Sequence, residues 1–276
     1  MTFQWSKEAE LCLTSIGSAA RMLDDKTRSK LSIHEKESAR DVVTETDIAV
    51  ERHLREMLAT SGYPIVGEEM ASDDAVSAAA GCWFVDPIDG TANYLTQIPF
   101  FGTSVGFVAN SEFILGAAVF PALRELYFVS DCGDAYLNAA RIVAKSGKIG
   151  DSLIGMSFSG KAFDPGRRAQ EFSLFGSLND KSRGCLRTGS AALNVCYVAS
   201  GKLQLAVGLN NRIWDVAGAL AIARAAGSDL FCNIDWPANR ISYVVGAGAV
   251  VEIISAEVDR TMNTGLKQVN SRVHKR

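Results

Sequence analysis

The sequence predicts an α+β fold, and three observations carry that prediction. Three strand signals lie side by side, at 103–108, 114–120 and 125–129, with Asn110-Ser111 and Pro121-Ala122 at the turns between them. Runs of adjacent strands are mixed with helices, and the second half alternates, a pattern that favours α+β over a doubly wound sheet. Apolar residues make up 47% of the 276 positions and charged residues 21%, enough to fill the cores of two lobes. The lobes are expected at 1–145 and 146–265, followed by a basic tail at 266–276 that is expected to be disordered.

In chain order, Ala9, Leu13, Ile16, Ala20 and Leu23 recur at steps of four and three, giving a first helix one apolar face. A short strand follows at 41–44. Thr46-Asp47 opens a second helix with Val50, Leu54, Met57 and Leu58 turned inward, and Ser61-Gly62-Tyr63-Pro64 ends it. Pro64-Ile65-Val66 reads as a strand with Gly67-Glu68-Glu69 at its exit, and the small, polar stretch 71–81 as a connection. The apolar run 82–85 reads as a buried strand that delivers Asp86 to its end, and a loop follows it. A strand at 153–158, a polar helix at 167–178, a helix of small residues at 189–199 and a strand at 203–207 come next. Residues 215–226 read as a helix stopped by Gly227. Strands at 242–245 and 249–253 and a last helix complete the expected pattern.

The formal charge of −3 provides no global positive field, so nucleic acid is not an expected partner. A mildly acidic chain still acts on phosphate esters when metal ions supply local positive charge. The six cysteines include no C-x-x-C pair and only three histidines are present, so a Cys/His zinc centre is not expected. Scattered cysteines fit buried free thiols in a reducing compartment. The first ten residues carry charges where a signal peptide needs an apolar core. No apolar run approaches the roughly 18 residues of a membrane span. A cytoplasmic protein without a membrane partner is expected.

The densest chemical signal is Asp86-Pro87-Ile88-Asp89-Gly90-Thr91-Ala92-Asn93-Tyr94. Two aspartates stand three apart with a proline between them, and Gly90 permits a tight turn and close approach of backbone to a ligand. Such a loop can aim two carboxylates and a backbone carbonyl into one small volume, the all-oxygen set that magnesium prefers. The same residues also make an ordinary surface turn, because Asp and Gly are turn formers. Against that plain reading stand Glu68 and Glu69 at a strand exit, Asp41 and Asp47 in the run D-V-V-T-E-T-D, and Asp215 behind a tryptophan. Each of these also has a structural role open to it, since a helix's first turn favours negative charge whatever the function.

Taken in order, K-x-x-x-x-D-x-V-T-x-T-D at 36–47, G-E-E at 67–69, D-P-I-D-G-T-x-N-Y at 86–94 and W-D-V-A-G at 214–218 resemble the inositol monophosphatase family over roughly residues 5–255. The resemblance implies a layered αβαβα sandwich of the sugar-phosphatase type. It implies hydrolysis of a phosphomonoester with two to three Mg2+ ions. Glu68, Asp86 and the Ile88 carbonyl would hold the first ion, and Asp86, Asp89 and Asp215 the second; Glu68 would help retain a third. Thr91 would touch the attacking water, oriented by Asp47, and Glu68 would accept the water's proton. Lys36 would lie near the metals and phosphate, the Gly90 and Thr91 amides would hold phosphate oxygens, and Gly189, Ser190, Ala191 and Asp215 would line the substrate pocket. Such a carboxylate cluster needs cations, because like charges repel strongly in a small site; bound magnesium also acidifies water. Cys-x5-Arg is absent, and no covalent nucleophile is expected. Lithium sensitivity and a homodimer follow from the resemblance alone.

The sequence departs from the family at one informative place. Seven residues before the aspartate of W-D, inositol-cleaving members carry a glutamate that binds substrate hydroxyls; here that position is Gly208. Glycine offers a polyol no acceptor, and such a loss shifts discrimination by several kcal/mol. Myo-inositol 1-phosphate is therefore not the expected substrate, and Gly208→Glu is expected to raise activity toward it. Asn210, Asn211 and Arg212 stand nearby, either as contacts to a different leaving group or as a plain polar loop. The expected substrate is a small phosphorylated metabolite: a sugar, polyol or amino-alcohol phosphate. The alternatives are a nucleotide phosphatase acting on 3'-phosphoadenosine 5'-phosphate, or a regulatory role in RNA machinery on the same fold.

Overall fold

The computed structural model describes residues 6–27, 33–38, 41–70, 81–159 and 164–269, with the side chains at 24–27, 33–38 and 41–44 outside the described set. In chain order the elements are α1 (Ser6–Thr27), β1 (Ile33–Ser38), β2 (Asp41–Thr44), α2 (Glu45–Leu58), β3 (Ile65–Gly67), β4 (Cys82–Asp89), α3 (Thr91–Thr96), β5 (Gly102–Ala109) and β6 (Glu112–Phe120). There follow β7 (Glu125–Val129), β8 (Ala135–Leu137), β9 (Ala140–Arg141), β10 (Leu153–Ser157), α4 (Pro165–Lys181), β11 (Gly184–Leu186), α5 (Ala191–Ala199), β12 (Leu205–Arg212) and α6 (Ile213–Ala225). The chain closes with β13 (Asp229–Asp235), β14 (Arg240–Gly246), α7 (Val250–Met262) and β15 (Lys267–Val269).

Beyond the β1–β2 hairpin the strands form two sheets. The first has seven strands in chain order from β3 to β9, and only the β3–β4 pair is parallel. The second has the order β11-β10-β12-β14-β13-β15, parallel from β11 to β12 and antiparallel beyond. Successive strand side chains point to opposite faces, and β12 shows what each face meets. Leu205, Val207 and Leu209 join the core beneath α4 and α7, whereas Ala206 joins the larger core shared with α5 and α6. Helices α1 and α2 cover the other face of the first sheet, so the layers run α1/α2, sheet, α5/α6, sheet, α4/α7. This is the αβαβα sandwich that the resemblance implies.

Several expectations change in detail. Residues 249–253 are not a strand: they enter α7, because Val250, Val251, Ile254 and Val258 recur at helical spacing and are buried together. Strand β4 does not stop at Val85 but continues through Asp89. The helix expected from 189 starts at Ala191, with Ser190 as its cap. Lys267–Val269 of the expected frayed tail pairs with β13, and residues 270–276 lie outside the described set. Strands β8, β9 and β11 have no more than three residues each, too few for a periodic signal. No described helix is long and apolar enough to cross a membrane. All six cysteines are free thiols, four of them buried.

Helix α6 lies close to the first sheet because glycines face each other there. A Cβ at Gly116 of β6 would overlap the backbone of Gly218 in α6. Gly116→Ala is expected to destabilise the protein by about 3 kcal/mol, the upper part of the overpacking range, read as a lower urea midpoint.

Candidate active site

The first carboxylates arrive on a fully buried strand. In β4, Asp86 pairs with Ser104 but Asp89 pairs with Gly102, so three steps on β4 span two on β5. That one-residue bulge falls at Pro87-Ile88, where the proline has no N–H to give the ladder. The Thr103 hydroxyl donates to the Pro87 carbonyl at 2.8 Å. The bulge re-aims the strand end, and Gly90, at φ 85°, turns the chain into α3. A Cβ at Gly90 would stand 2.7 Å from the Phe100 carbonyl oxygen, so the turn excludes a side chain. The Thr91 hydroxyl donates to the Ile88 carbonyl at 3.0 Å, which ties two expected site residues to each other.

Glu68 leaves the end of β3, and its backbone is fixed from α2. Glu51, fully buried, accepts from the Glu69 amide at 2.7 Å and the Met70 amide at 3.1 Å. Its charge is met by Arg55 one turn later, at 2.8 Å. Arg55 in turn donates to the carbonyls of Ile65 (3.0 Å) and Met70 (2.6 Å). A Cβ at Gly67 would overlap the Glu51 carboxylate, which explains the glycine of G-E-E. Sequence reasoning passed over Glu51 and Arg55, although their i, i+4 spacing marks a helix-face pair.

Asp215 enters from the second sheet. Strand β12 runs directly into α6, so Asp215 sits in the helix's first turn, and one of its oxygens accepts from the Arg212 amide at 3.1 Å. Here too a bulge precedes the site: Gly208 pairs with Tyr243 and Asn211 with Ile241, with Asn210 at φ 57°. Asp47 is fully buried in the first turn of α2, and its charge reaches Asp86. Lys36 lies on β1 and Asp41 on β2, with side chains outside the described set.

These segments meet. Glu68, Asp86 and Asp215 each present a carboxylate oxygen within 4.8 Å of the others. Burial, then the charges of Glu68, Asp89, Asp215 and Asp47, push the Asp86 carboxyl well above the ordinary range. Burial and the charges of Glu68 and Asp89 do the same to Asp215. Asp86 Oδ1 is buried with no hydrogen-bond partner among the described residues. An all-carboxylate set with an unpartnered buried oxygen fits a hard divalent cation.

Asp89 stands apart from that trio, because α5 engages both of its oxygens. The Ser190 hydroxyl and the Ala192 amide (2.8 Å) donate to one oxygen, and the Ala191 amide (3.1 Å) to the other. Burial pushes Asp89 up to about 6, and these three bonds hold it below what burial alone would give. Ser190 and Ala191, expected along the substrate pocket, thus hold Asp89 at the N-terminus of α5. Asn93, another residue that sequence reasoning left without a role, donates to the Phe100 carbonyl (2.8 Å) and the Thr188 carbonyl (2.9 Å). It also packs against Gly189, which has φ 84°.

The expectation for Gly208→Glu needs correction. A Cβ at Gly208 would overlap the Tyr243 ring, so the ring occupies the space that a side chain would need. Gly208→Glu therefore displaces Tyr243 and costs stability, and a gain of activity on inositol phosphate no longer follows.

The raised carboxyls have a consequence with a definite sign. In the unfolded chain an aspartate ionises near pH 4. The folded state keeps protons on Asp86, Asp89 and Asp215 at higher pH, so it binds more protons than the unfolded state. Their contribution to stability falls as pH rises from about 4 through the raised values, about 6 for Asp89. In EDTA, Asp86→Asn is expected to raise Tm at pH 7.5, by roughly 2–4 °C per kcal/mol of repulsion relieved, and to raise it distinctly less at pH 5. Equal effects at the two pH values would show that these acids do not repel one another.

The comparisons with known proteins agree with this geometry. A profile of the inositol monophosphatase family matches residues 7–260. The chain is 30% identical over 240 residues to inositol monophosphatase 1 of Bos taurus, covering 83% of this chain and 85% of that one. It is 31% identical over 199 residues to the Nus factor SuhB of Haemophilus influenzae, covering 71% and 73%. The crystal structure of extragenic suppressor protein suhB from Bartonella henselae shares the fold, with a TM-score of 0.79 at 22% identity over 94% of this chain and 100% of that one. With its acids gathered as described and this match along nearly its whole length, the chain belongs to the inositol monophosphatase family and is a phosphatase.

Proposed function

We propose that the protein is a magnesium-dependent phosphomonoesterase acting on a small phosphorylated metabolite. The observation that carries this reading is the meeting of Glu68, Asp86 and Asp215 within 4.8 Å, with a buried Asp86 oxygen that has no partner among the described residues. Glu68, Asp86, Asp89, Asp215 and the Ile88 carbonyl would hold the ions. When bound, magnesium supplies the positive charge that neutralises the acids, polarises the ester and acidifies water. Glu68, half-buried at the edge of the cluster, accepts the proton of the attacking water. The Thr91 hydroxyl already donates to Ile88, so its lone pairs remain to orient that water. Asp47 supports this end of the site from α2. Gly90 and Thr91 at the start of α3 offer amides to phosphate oxygens, and by the family resemblance Lys36 would add a cation. Ser190 and Ala191, which bond to Asp89, and Gly189 before them would line the substrate pocket. Gly208 argues against myo-inositol 1-phosphate as the preferred substrate.

A second reading has one observation in its favour, the likeness to a Nus factor. A regulatory role on this fold is compatible with turnover and does not require its loss, since the carboxylate set is complete.

The purified protein is expected to release phosphate from a panel of phosphomonoesters with MgCl2, and to stop in EDTA. Asp89→Asn is expected to lower kcat by about 100-fold or more, as loss of a metal-site charge worth several kcal/mol would do, with an unchanged circular dichroism spectrum. Near-normal turnover of that variant counts against the assignment of Asp89. A panel without any magnesium-dependent release favours the regulatory reading.

A further inference from the structure

We propose that the preferred substrate carries a second anionic group, a carboxylate or another phosphate, on its alcohol portion, and that Arg167, Arg212 and Arg240 receive it. This rests on the phosphomonoesterase reading above and extends it to substrate class.

A cavity of about 460 Å³ opens beside Asp215, and its wall includes Arg167, Arg168, Arg212 and Arg240. That volume suits a small metabolite. The four guanidinium groups come from three places in the second lobe: α4, the end of β12 and the start of β14. Three acids face the same cavity, Asp164, Glu171 and Asp215, and each already has a task. Asp164 caps α4 by accepting from the Arg167 amide at 3.0 Å. Glu171 is buried and accepts from Arg167 Nε at 3.2 Å. Asp215 belongs to the cation cluster.

Arg212 and Arg240 are left without a carboxylate at ion-pair distance among the described residues. Arg212 donates to the Ala238 carbonyl at 3.2 Å, and Arg240 to the Asn210 carbonyl at 3.0 Å. Each guanidinium has five N–H donors in a planar fork, so most of that capacity is unspent. The cations also crowd one another: burial first, then the charges of Arg212 and Arg167, press the Arg240 pKa down, against Asp215. An incoming anion relieves that crowding and takes charge-assisted, bidentate hydrogen bonds.

A hydroxyl-rich leaving group needs acceptors. Beyond Asp164, Glu171 and Asp215 the cavity wall has no carboxylate among the described residues, and at neighbouring Gly208 the Tyr243 ring fills the space that a side chain would need. The wall next to Asp215 sets unspent guanidinium donors beside neutral acceptors from Ser157, Ser159 and Asn211, and a substrate that brings anionic acceptors of its own answers the guanidinium groups.

The test is phosphate release with MgCl2 from two matched pairs and from p-nitrophenyl phosphate. In glycerol 3-phosphate against 3-phosphoglycerate, a hydroxymethyl is exchanged for a carboxylate. In fructose 1-phosphate against fructose 1,6-bisphosphate, a hydroxyl is exchanged for a phosphate, so the two pairs distinguish the two kinds of anion. The anionic member of at least one pair is expected to have a kcat/KM about tenfold higher, mostly through KM, as one charge-assisted contact supplies. The ratio is expected to shrink when salt rises from about 0.05 to about 0.5 M. Arg240→Gln and Arg212→Gln are expected to bring it within about twofold of unity, with partial recovery in Arg240→Lys. A wild-type ratio near one in both pairs, with neutral esters hydrolysed, overturns the inference and leaves the phosphatase reading standing. A large ratio that survives in folded arginine variants overturns the assignment to these residues. No release from any compound overturns the phosphatase reading and this inference with it.

Discussion

Like charges held together out of water are the constraint around which this fold is arranged. Asp86 is buried, lies within reach of the charges of Glu68, Asp89, Asp215 and Asp47, and has an oxygen without a hydrogen-bond partner among the described residues. Left to themselves those acids would move apart into solvent. Each is instead fixed by something stiffer than its own side chain. The Glu51–Arg55 pair grips the backbone around Glu68. A bulge sets the end of β4. The amides of α5 hold Asp89, and the Arg212 amide holds Asp215. Repulsion held in place by backbone is a preorganised receptor for cations, and a bound cation converts the strain into stability of the holoprotein.

The middle layer explains how acids from two sheets stay in register. Helices α5 and α6 lie between the sheets. The first receives Asp89 of β4 at its N-terminus, and the second carries Asp215 in its own first turn. A shift of either helix would separate the acids. The glycine contact between β6 and α6 sets one spacing, and the bonds from Ser190 and Asn93 set the other. Residues that look like substrate contacts in a linear motif thus also serve as joints, and losing one is expected to affect metal affinity along with binding.

The cavity proposed to hold the leaving group draws largely on other elements. The carboxylate cluster draws on the exit of β3, on β4 and on the first turn of α6. The neighbouring cavity draws on α4, the β12 bulge and β14, with Asp215 as the shared residue. Strand β12 bulges at the place where Tyr243 packs on Gly208. Substitution at one of those two positions therefore needs adjustment at the other. The chemistry can be kept while the leaving-group side is remodelled, a division suited to a fold that hosts many phosphate esters.

The sequence by itself determined the fold class, most of the long elements and the family, because these rest on local information. Periodic apolar spacing decides a helix such as α1 or α2, turn residues decide the hairpins between β5 and β7, and four short motifs keep their order along the chain. Asp86, Asp89, Glu68 and Asp215 were legible as candidates for the same reason. Their meeting was not legible, since Asp215 stands 129 residues beyond Asp86 and no local rule reaches that far. The tertiary structure decided which three acids converge, that Asp89 is shared with α5, and that Glu51 and Arg55 support Glu68 from another helix. It also decided that a Tyr243 ring fills the space at Gly208, and that arginines from three elements gather in one cavity. The physical reason is common to all of these: pair distance, burial and mutual charge are properties of packing, and they do not exist until the sheets have closed on the helices between them.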